Sequence, residues 1–564
     1  MEYKFNKLSN DVIENIYLNR ELTDNIVDEI LNADEKFWED THNYLNIDKA
    51  HKRLMDSIEN NENIGILVDN DADGFCSAAI LFQFIYYDLK YENVCYIIHT
   101  KDVKAHGVTK EIIEYVKNKD IKLLITPDAG SNDKKEHIEL WNMGTKFIAL
   151  DHHDFDLNDT FEHAVIVSNQ DENVNNVDGS GTLVTYKFID YVCEELDIEL
   201  GFKYMDLVNI ANIADMRDMV NLENRYFYNV GKCVKNMTNK LLLAFADDLK
   251  RSKYITIENV QFGIANMMNS IIRNGTYEER EDLFEALLGS DEIVEYKYRG
   301  NTIRQSLQKA VIRYAKRLKR NQKEKIVDDD DIETFTTIND KVMIVKGDNI
   351  PKEVRGLMAN QLSKKYCRPI LILKKTKKGM EGSARGYIVN NFKGLCEESK
   401  LFDKLEGHPG AFGSCISEDN ISKFIEFAND KLKDMEFDNI IEIDFEYENH
   451  IPLEDIIDVG ALHELWSNEI RKPLFLIKNI TVNTKDINKN KNSARFKIDK
   501  VQFKKDYMSK VFYEDMIKLE ENKDKNMDLK MDILFDIKQW ESGLSYANII
   551  EIESKVVDIQ TPLV

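Results

Sequence analysis

Residues 64–85 constrain this chain more than any other stretch. Ile64-Gly-Ile-Leu67, continued by Val68, is an apolar run of the length of a buried strand. It ends in carboxylates at alternate positions, Asp69, Asp71 and Asp73, followed by Gly74. The apolar run Phe75 to Ile85 then reads as a buried helix. A strand that passes through an acidic turn into a helix sets its acids at the carboxyl edge of a sheet, where open α/β folds bind ligands. Three like charges this close repel one another unless something positive sits among them. Hard divalent cations, which favour oxygen ligands, fill that role. The plain alternative is a solvated acidic turn. An EF-hand fits less well, because an apolar helix begins straight after Gly74.

The pattern recurs downstream. Strands are predicted at residues 94–98, 121–125, 146–150 and 164–167. The third strand is followed by Thr126-Pro-Asp128-Ala-Gly-Ser-Asn132, the fourth by Asp151-His-His-Asp154 and the fifth by Ser168-Asn-Gln170. This strand–helix alternation with short loops predicts a parallel sheet covered by helices on both faces. Asp178-Gly-Ser-Gly181 then opens a helix whose backbone N–H groups could hold an anion; the loop alone is weak evidence, and the plain alternative is a helix cap. Residues 205–220 form an apolar helical pattern ending in Asp215 and Asp218.

Residues 236–340 read as mostly helical. Within them a long basic helix is expected over 299–325, carrying Arg304, Lys309, Arg313, Lys316, Arg317, Lys319, Arg320 and Lys323 against the one acid Glu324. The whole chain has a net charge of −25, which excludes a surface coated in basic residues for duplex binding. A local basic groove remains open, because distribution matters more than the sum. The seven cysteines are scattered without a CxxC pair, so reduced thiols in a cytosolic protein are expected, and no zinc. No run of about 18 apolar residues predicts a membrane span, and the first residues lack the apolar core of a signal peptide.

Four motifs in order, Asp69-Asn-Asp-Ala-Asp-Gly74, Asp128-Ala-Gly130, Asp151-His-His153 and Ile213-Ala-Asp215, resemble the DHH phosphoesterase superfamily, and within it the RecJ-like single-strand-specific exonucleases. The resemblance covers most of the chain from about residue 60. Asp128-Ala-Gly departs mildly from the more usual Asp-Asn-Gly. The resemblance implies an α/β chain in five parts: an N-terminal helical segment (1–58), a parallel-sheet DHH domain (59–235), a helical connector with the long helix (236–340), a second α/β DHH-associated domain (341–435) and an OB-like β-barrel (436–564).

The same resemblance implies the site. Asp69, Asp71, Asp73, Asp128, His152 and Asp215 become ligands of two Mn2+ ions, with Mg2+ as the second choice and Asp128 as the bridge. Oxygen ligands with one imidazole suit those metals better than zinc. His153 is assigned to the scissile phosphate beside Asp128, with a bystander role supporting a ligand as the alternative. Lys101 takes the position of a family Arg, and Ala105-His106-Gly107 replaces Gly-Tyr-Gly, so Lys101 and His106 join the substrate contacts. Ser383, Arg385 and His408 fall in the substrate-binding segments of the second domain, and Arg385 carries a planar fork suited to a terminal phosphate. In that segment Glu406 stands where the family has Gly, and Phe412 where it has a small residue. Arg317 and Arg320 on the basic helix complete the set. The expectation is a cytoplasmic 5′→3′ exonuclease on single-stranded DNA, acting in recombination and repair. RNA is an open alternative, and a helicase or single-strand-binding protein a candidate partner. Two rivals stand beside it: a phosphodiesterase of short RNA, nucleotide phosphates or cyclic dinucleotides, and a scaffold that has lost catalysis.

Overall fold

A computed structural model describes residues 2–100, 106–155, 162–298, 301–326, 332–337, 339–352, 354–437, 440–483, 486–490, 493–506, 528–540 and 542–557. The chain forms two compact units: Phe5–Ala315 with Glu442–Val564, and Met1–Lys4 with Lys316–Ile441.

The first unit is built on a five-stranded sheet in the order Val94–Ile98, Ile64–Val68, Leu123–Pro127, Lys146–Asp151, Val165–Ser168, every pair parallel. The strands are almost continuously apolar, as strands covered on both faces must be. Helices Lys110–Asn118 and Lys134–Asn142 contribute Ile113, Val116 and Leu140 to a core with Leu67, Leu124 and Phe147. Helices Ala72–Gln83 and Gly181–Glu195 pack on each other and against the same sheet. The strand order reverses between Ile64–Val68 and Leu123–Pro127, which is where a doubly wound sheet opens a crevice. Asp69 and Asp128 follow those two strands.

The sequence expectation needs correction at three places here. The helix after the acidic turn begins at Ala72, three residues early, because the Asp71 carboxylate caps it by accepting from Gly74 N at 3.0 Å. Strands Ile293–Tyr298 and Asn301–Ser306 pair antiparallel, so the basic helix is shorter, Leu307–Glu324. Arg304 therefore lies on a strand opposite Glu295, while Arg299 falls outside the described residues. The C-terminal region holds a seven-stranded sheet where an OB-like barrel was expected. Its strand order is Phe445–Glu448, Phe475–Asn483, Asp528–Gln539, Ser545–Val557, Val501–Asp506, Ser493–Ile498, Asn488–Asn490, with no pairing that closes it among the described residues. Register shifts at Ile477/Ile480 and Leu534/Phe535 bend the long strands.

The N-terminal helical segment packs onto the C-terminal sheet. A strand, Glu2–Phe5, precedes its helices and pairs with Ile440–Ile443. Helices Val12–Leu18 and Asp24–Leu31 put Val12, Ile16, Val27 and Ile30 into one core with Phe475, Phe503, Phe535 and Ala547 of the C-terminal sheet. A buried fork reinforces the join, with Arg20 Nη1 and Nη2 at 2.6 and 3.1 Å from the two oxygens of Asp444.

In the second unit the sheet order is Phe402–His408, Ala411–Ile416, Gly379–Arg385, Ile370–Thr376, Met343–Lys346, antiparallel except for the last pair. Helices Arg355–Lys365, Phe392–Ser399 and Ile421–Lys431 accompany it. Among the described residues no helix is long and apolar enough to cross a membrane.

Candidate metal centre

Strand ends bring the predicted acids together. His152 follows Lys146–Asp151, and its Nε2 lies 3.1 Å from Asp128 Oδ1, 3.6 Å from Asp215 Oδ2 and 4.0 Å from Asp73 Oδ2. Asp69, Asp71 and Asp128 form an overlapping group, as do Asp128, His152 and His153. All six predicted metal ligands therefore share one crevice. Asp128 stands at its centre and belongs to two of the groups. It adopts φ 66°, a left-handed conformation that Asp tolerates better than most residues, and its N donates to Leu150 O at 2.8 Å.

The donor set fits divalent ions. Ligands at 2.0–2.1 Å in an octahedron stand about 3 Å apart when adjacent and about 4 Å apart when opposite. The separations around His152 Nε2 span that range. Asp128 Oδ1 is buried and, apart from the approach of His152 Nε2 at 3.1 Å, has no hydrogen-bond partner among the described residues, which is costly for a buried carboxylate oxygen. Burial first, then Asp73, Asp71, Asp69 and Asp215, push the Asp128 carboxyl well above its ordinary range. Burial pushes Asp215 up to about 8, with Asp73 and Asp71 adding to the effect and Arg217 opposing it. A site whose carboxylates resist ionisation in one another's company is one that divalent cations stabilise.

The N–H groups of the glycine-rich helix entry hold an anion supplied by the chain itself. Gly181 N and Thr182 N donate to Asp73 at 2.8 Å each, and Thr182 Oγ1 donates to it at 2.5 Å. The anion at this helix N-terminus is thus Asp73 itself. Asp73 is raised by burial and by Asp71 against those hydrogen bonds. Gly181 also lies against Asp128, since a Cβ there would sit 2.3 Å from Asp128 Oδ1 and 2.6 Å from its Cα.

His153 points outward, with its side chain 47% exposed, and its Nδ1 is 2.8 Å from Asp151 Oδ1. Burial disfavours its charged form, yet the hydrogen bond and charge of Asp151 prevail and push it up to about 9. Asp151 is buried and also accepts from Ser131 N and His152 N. It is held well below the usual carboxylate range, because His153 outweighs the effect of burial. In the sequence the signal for this role was the place of Asp151 ahead of two histidines.

The remaining predicted residues fall in several places. His106 Nδ1 lies 2.7 Å from Asp69 Oδ2, and Gly107 N donates to Asp69 Oδ1 at 3.1 Å, so this loop holds a ligand directly. Lys101 lies outside the described residues. Ser383, Arg385 and His408 belong to the second unit. Backbone register sets Arg385 and His408 on either side of Ala411, with Ser383 two positions from Arg385 along the same strand. Arg385 is half-buried, its Nη1 donating to Ala384 O at 2.7 Å. On the basic helix Arg320 is exposed, 4.0 Å from Glu324, and Arg317 is half-buried.

The family model described as "DHH family, N-terminal domain" matches residues 63–211, which span the sheet and five of the six ligands. YorK, an SPbeta prophage-derived protein of Bacillus subtilis strain 168 named for single-strand DNA-specific exonuclease activity, is 33% identical over 540 residues, covering 90% of this chain and 91% of YorK. The chain belongs to the RecJ-like branch of the DHH family. The single-stranded-DNA-specific exonuclease RecJ of the same bacterium is 24% identical over 412 residues, covering 70% of this chain and 49% of RecJ. The fold agrees. The crystal structure of RecJ from Thermus thermophilus in complex with Mn2+ matches with a TM-score of 0.66 at 17% identity, covering 98% of this chain and 79% of that one. The corresponding Mg2+ complex matches with a TM-score of 0.61.

Proposed function

We propose that this RecJ-like DHH protein is a metal-dependent exonuclease that hydrolyses single-stranded DNA from its 5′ end. The observation that carries the reading is the convergence of Asp69, Asp71, Asp73, Asp128, Asp215 and His152 at the carboxyl edge of the parallel sheet. The names of YorK and of RecJ support the substrate class.

Two divalent ions, Mn2+ before Mg2+, would be held by those six residues with Asp128 as the shared ligand. When bound, they supply Lewis-acid polarisation of the phosphodiester and offset the negative charge of the carboxylates around it. The side chains then divide the remaining work. His153, held as a cation by Asp151, presents its Nε2–H to a non-bridging oxygen and stabilises charge that grows there. His106 and Gly107 keep Asp69 oriented. Arg385 reads the terminal phosphate with help from Ser383, and His408 lies in the same row of that sheet. Arg317 and Arg320 track the phosphates of the strand. Action in DNA recombination and repair in the cytoplasm, alongside a helicase or a single-strand-binding protein, belongs to the same reading.

The test is the product ladder from a long single strand labelled at one end, with Mn2+ added. A 5′→3′ exonuclease releases a labelled mononucleotide at once from a 5′ label and shortens a 3′-labelled strand step by step. Turnover of dinucleotides alone would return the protein to the short-substrate phosphodiesterases. Repeating the ladder on RNA sets the sugar preference.

A further inference from the structure

Arg217 lies two residues beyond the ligand Asp215, and nothing in the mechanism above uses it. Asp215 closes helix Met205–Ala214. Met216 follows at φ 56°, a left-handed position where helix ends usually place glycine. That turn, fixed by Met216 N on Ile213 O and Arg217 N on Asn212 O, folds the chain back across the carboxylate. Arg217 Nη2 then lies 2.9 Å from Asp215 Oδ2, the same oxygen that faces His152 at 3.6 Å. Nε donates to Asp215 O at 3.2 Å, and Nη1 lies 3.4 Å from Asp178 Oδ1. Asp178 is in turn held by Asp218 N, and its carbonyl by Asn224 Nδ2. The guanidinium is thus braced by two carboxylates and is 18% exposed.

An ion bound between Asp215 Oδ2 and His152 shares that oxygen with this guanidinium. A fixed positive charge at that distance repels the ion and weakens the carboxylate as a donor. A phosphate oxygen that approaches the same ion gains from it. Guanidinium carries five N–H donors, of which the contacts above use three, leaving two for an oxygen arriving from the open side.

We propose that Arg217 is a positioning residue of the metal centre that weakens the grip of Asp215 on its ion and places a positive charge beside the scissile phosphate. This rests on the reading that the centre binds divalent ions and cleaves phosphodiesters. Two opposed effects follow from one charge, whereas a purely structural brace would move both in the same direction or neither.

The experiment titrates Mn2+ into the full-length protein by calorimetry and separately measures kcat and KM on a 5′-phosphorylated single strand at saturating Mn2+. Arg217→Gln is expected to tighten the weaker Mn2+ site by about tenfold and to lower kcat by about tenfold or more, at a scale set by one nearby charge. Arg217→Lys should fall between wild type and Arg217→Gln in both. Asp178→Asn, which removes the second anchor and lets the guanidinium settle on Asp215, should weaken Mn2+ binding. That variant decides the matter if Arg217→Gln does not fold. Unchanged or weaker Mn2+ binding in Arg217→Gln, or tighter binding in Asp178→Asn, overturns the proposal. Failure of the wild-type protein to bind Mn2+ would instead remove the reading beneath it.

Discussion

Replacing Gly181 by Ala tests the geometry of the centre without touching a ligand. On helix propensity alone the change should stabilise the first turn of helix Gly181–Glu195 by about 1 kcal/mol. The packing reverses that sign. The new methyl would lie 2.3 Å from Asp128 Oδ1, 2.5 Å from its Cβ and 2.6 Å from its Cα, where ordinary contact begins near 3.4 Å. Asp128 cannot clear it by a side-chain rotation, because its backbone is one of the atoms struck. Either Asp128 or the helix end must move by about 1 Å, and the helix end is tied to Asp73 through Gly181 N and Thr182 N. Overpacking of this kind costs about 1–3 kcal/mol, and a 1 Å displacement of a reacting group costs on the order of a hundredfold in rate. Gly181→Ala should therefore remain folded, lose about 1–3 °C in thermal midpoint in a chain of this size, and lose about a hundredfold in kcat on an end-labelled single strand with Mn2+. Calorimetric Mn2+ titration of the same sample should show weakened binding at the shared site. Wild-type kcat and Mn2+ affinity in a folded Gly181→Ala protein would refute the close approach of this helix to Asp128.

Four further outcomes follow. Asp128→Ala should abolish hydrolysis while circular dichroism shows an intact fold; appreciable turnover would remove Asp128 as the shared ligand. In chelator, thermal stability should fall as pH rises from about 6.5 to 8.5. Asp215, raised to about 8, and His153, raised to about 9, both bind more protons folded than unfolded across this window. His99, which burial lowers from 6.5, acts in the opposite sense only below it; added Mn2+ should restore the loss with release of protons, and a rising midpoint in chelator would contradict the assignment. Arg385→Ala should cost about ten- to a hundredfold on a 5′-phosphorylated strand, from a charge-assisted contact of roughly 1.5–3 kcal/mol, and much less on a 5′-hydroxyl strand. Equal losses on the two would make Arg385 a general contact. Reversing Lys316, Arg317 and Arg320 to Glu should weaken binding of long single strands and flatten its salt dependence, and an unchanged slope would return the helix to a solvated face.

The sheet and its acids were legible because the signals are local. Each strand is an apolar run, and each ligand lies within a few residues of a strand or helix end, so Asp69, Asp128, His152 and Asp215 could be placed before any contact was known. The hold of Gly181 and Thr182 on Asp73 was not legible, since it joins residues more than a hundred positions apart and looks from the sequence like an ordinary helix start. Residues 293–306 carried a weak strand signal, with alternating Val294, Tyr296 and Tyr298, which the cluster of basic residues after them obscured. Arg217, two residues past the motif, carried no signal of its own, because only the left-handed turn at Met216 brings it back onto Asp215.

The core that the N-terminal helices share with the last strands sets a timetable for the chain. Ile16 and Ile30 leave the ribosome long before Phe475, Phe503 and Phe535 exist to cover them. At roughly 5–20 residues per second, some 450 residues of synthesis leave those helices waiting for about 20–90 s. The central sheet, complete by Ser168, can form during that interval, and helix Leu222–Gly231 can meet Asp24–Leu31, but the apolar face of Val12–Leu18 and the rest of that shared core stay uncovered until the C-terminal elements arrive. A message broken before those strands would thus yield a polypeptide with its first helices still sticky, and such a product would advertise its own incompleteness to chaperones and proteases.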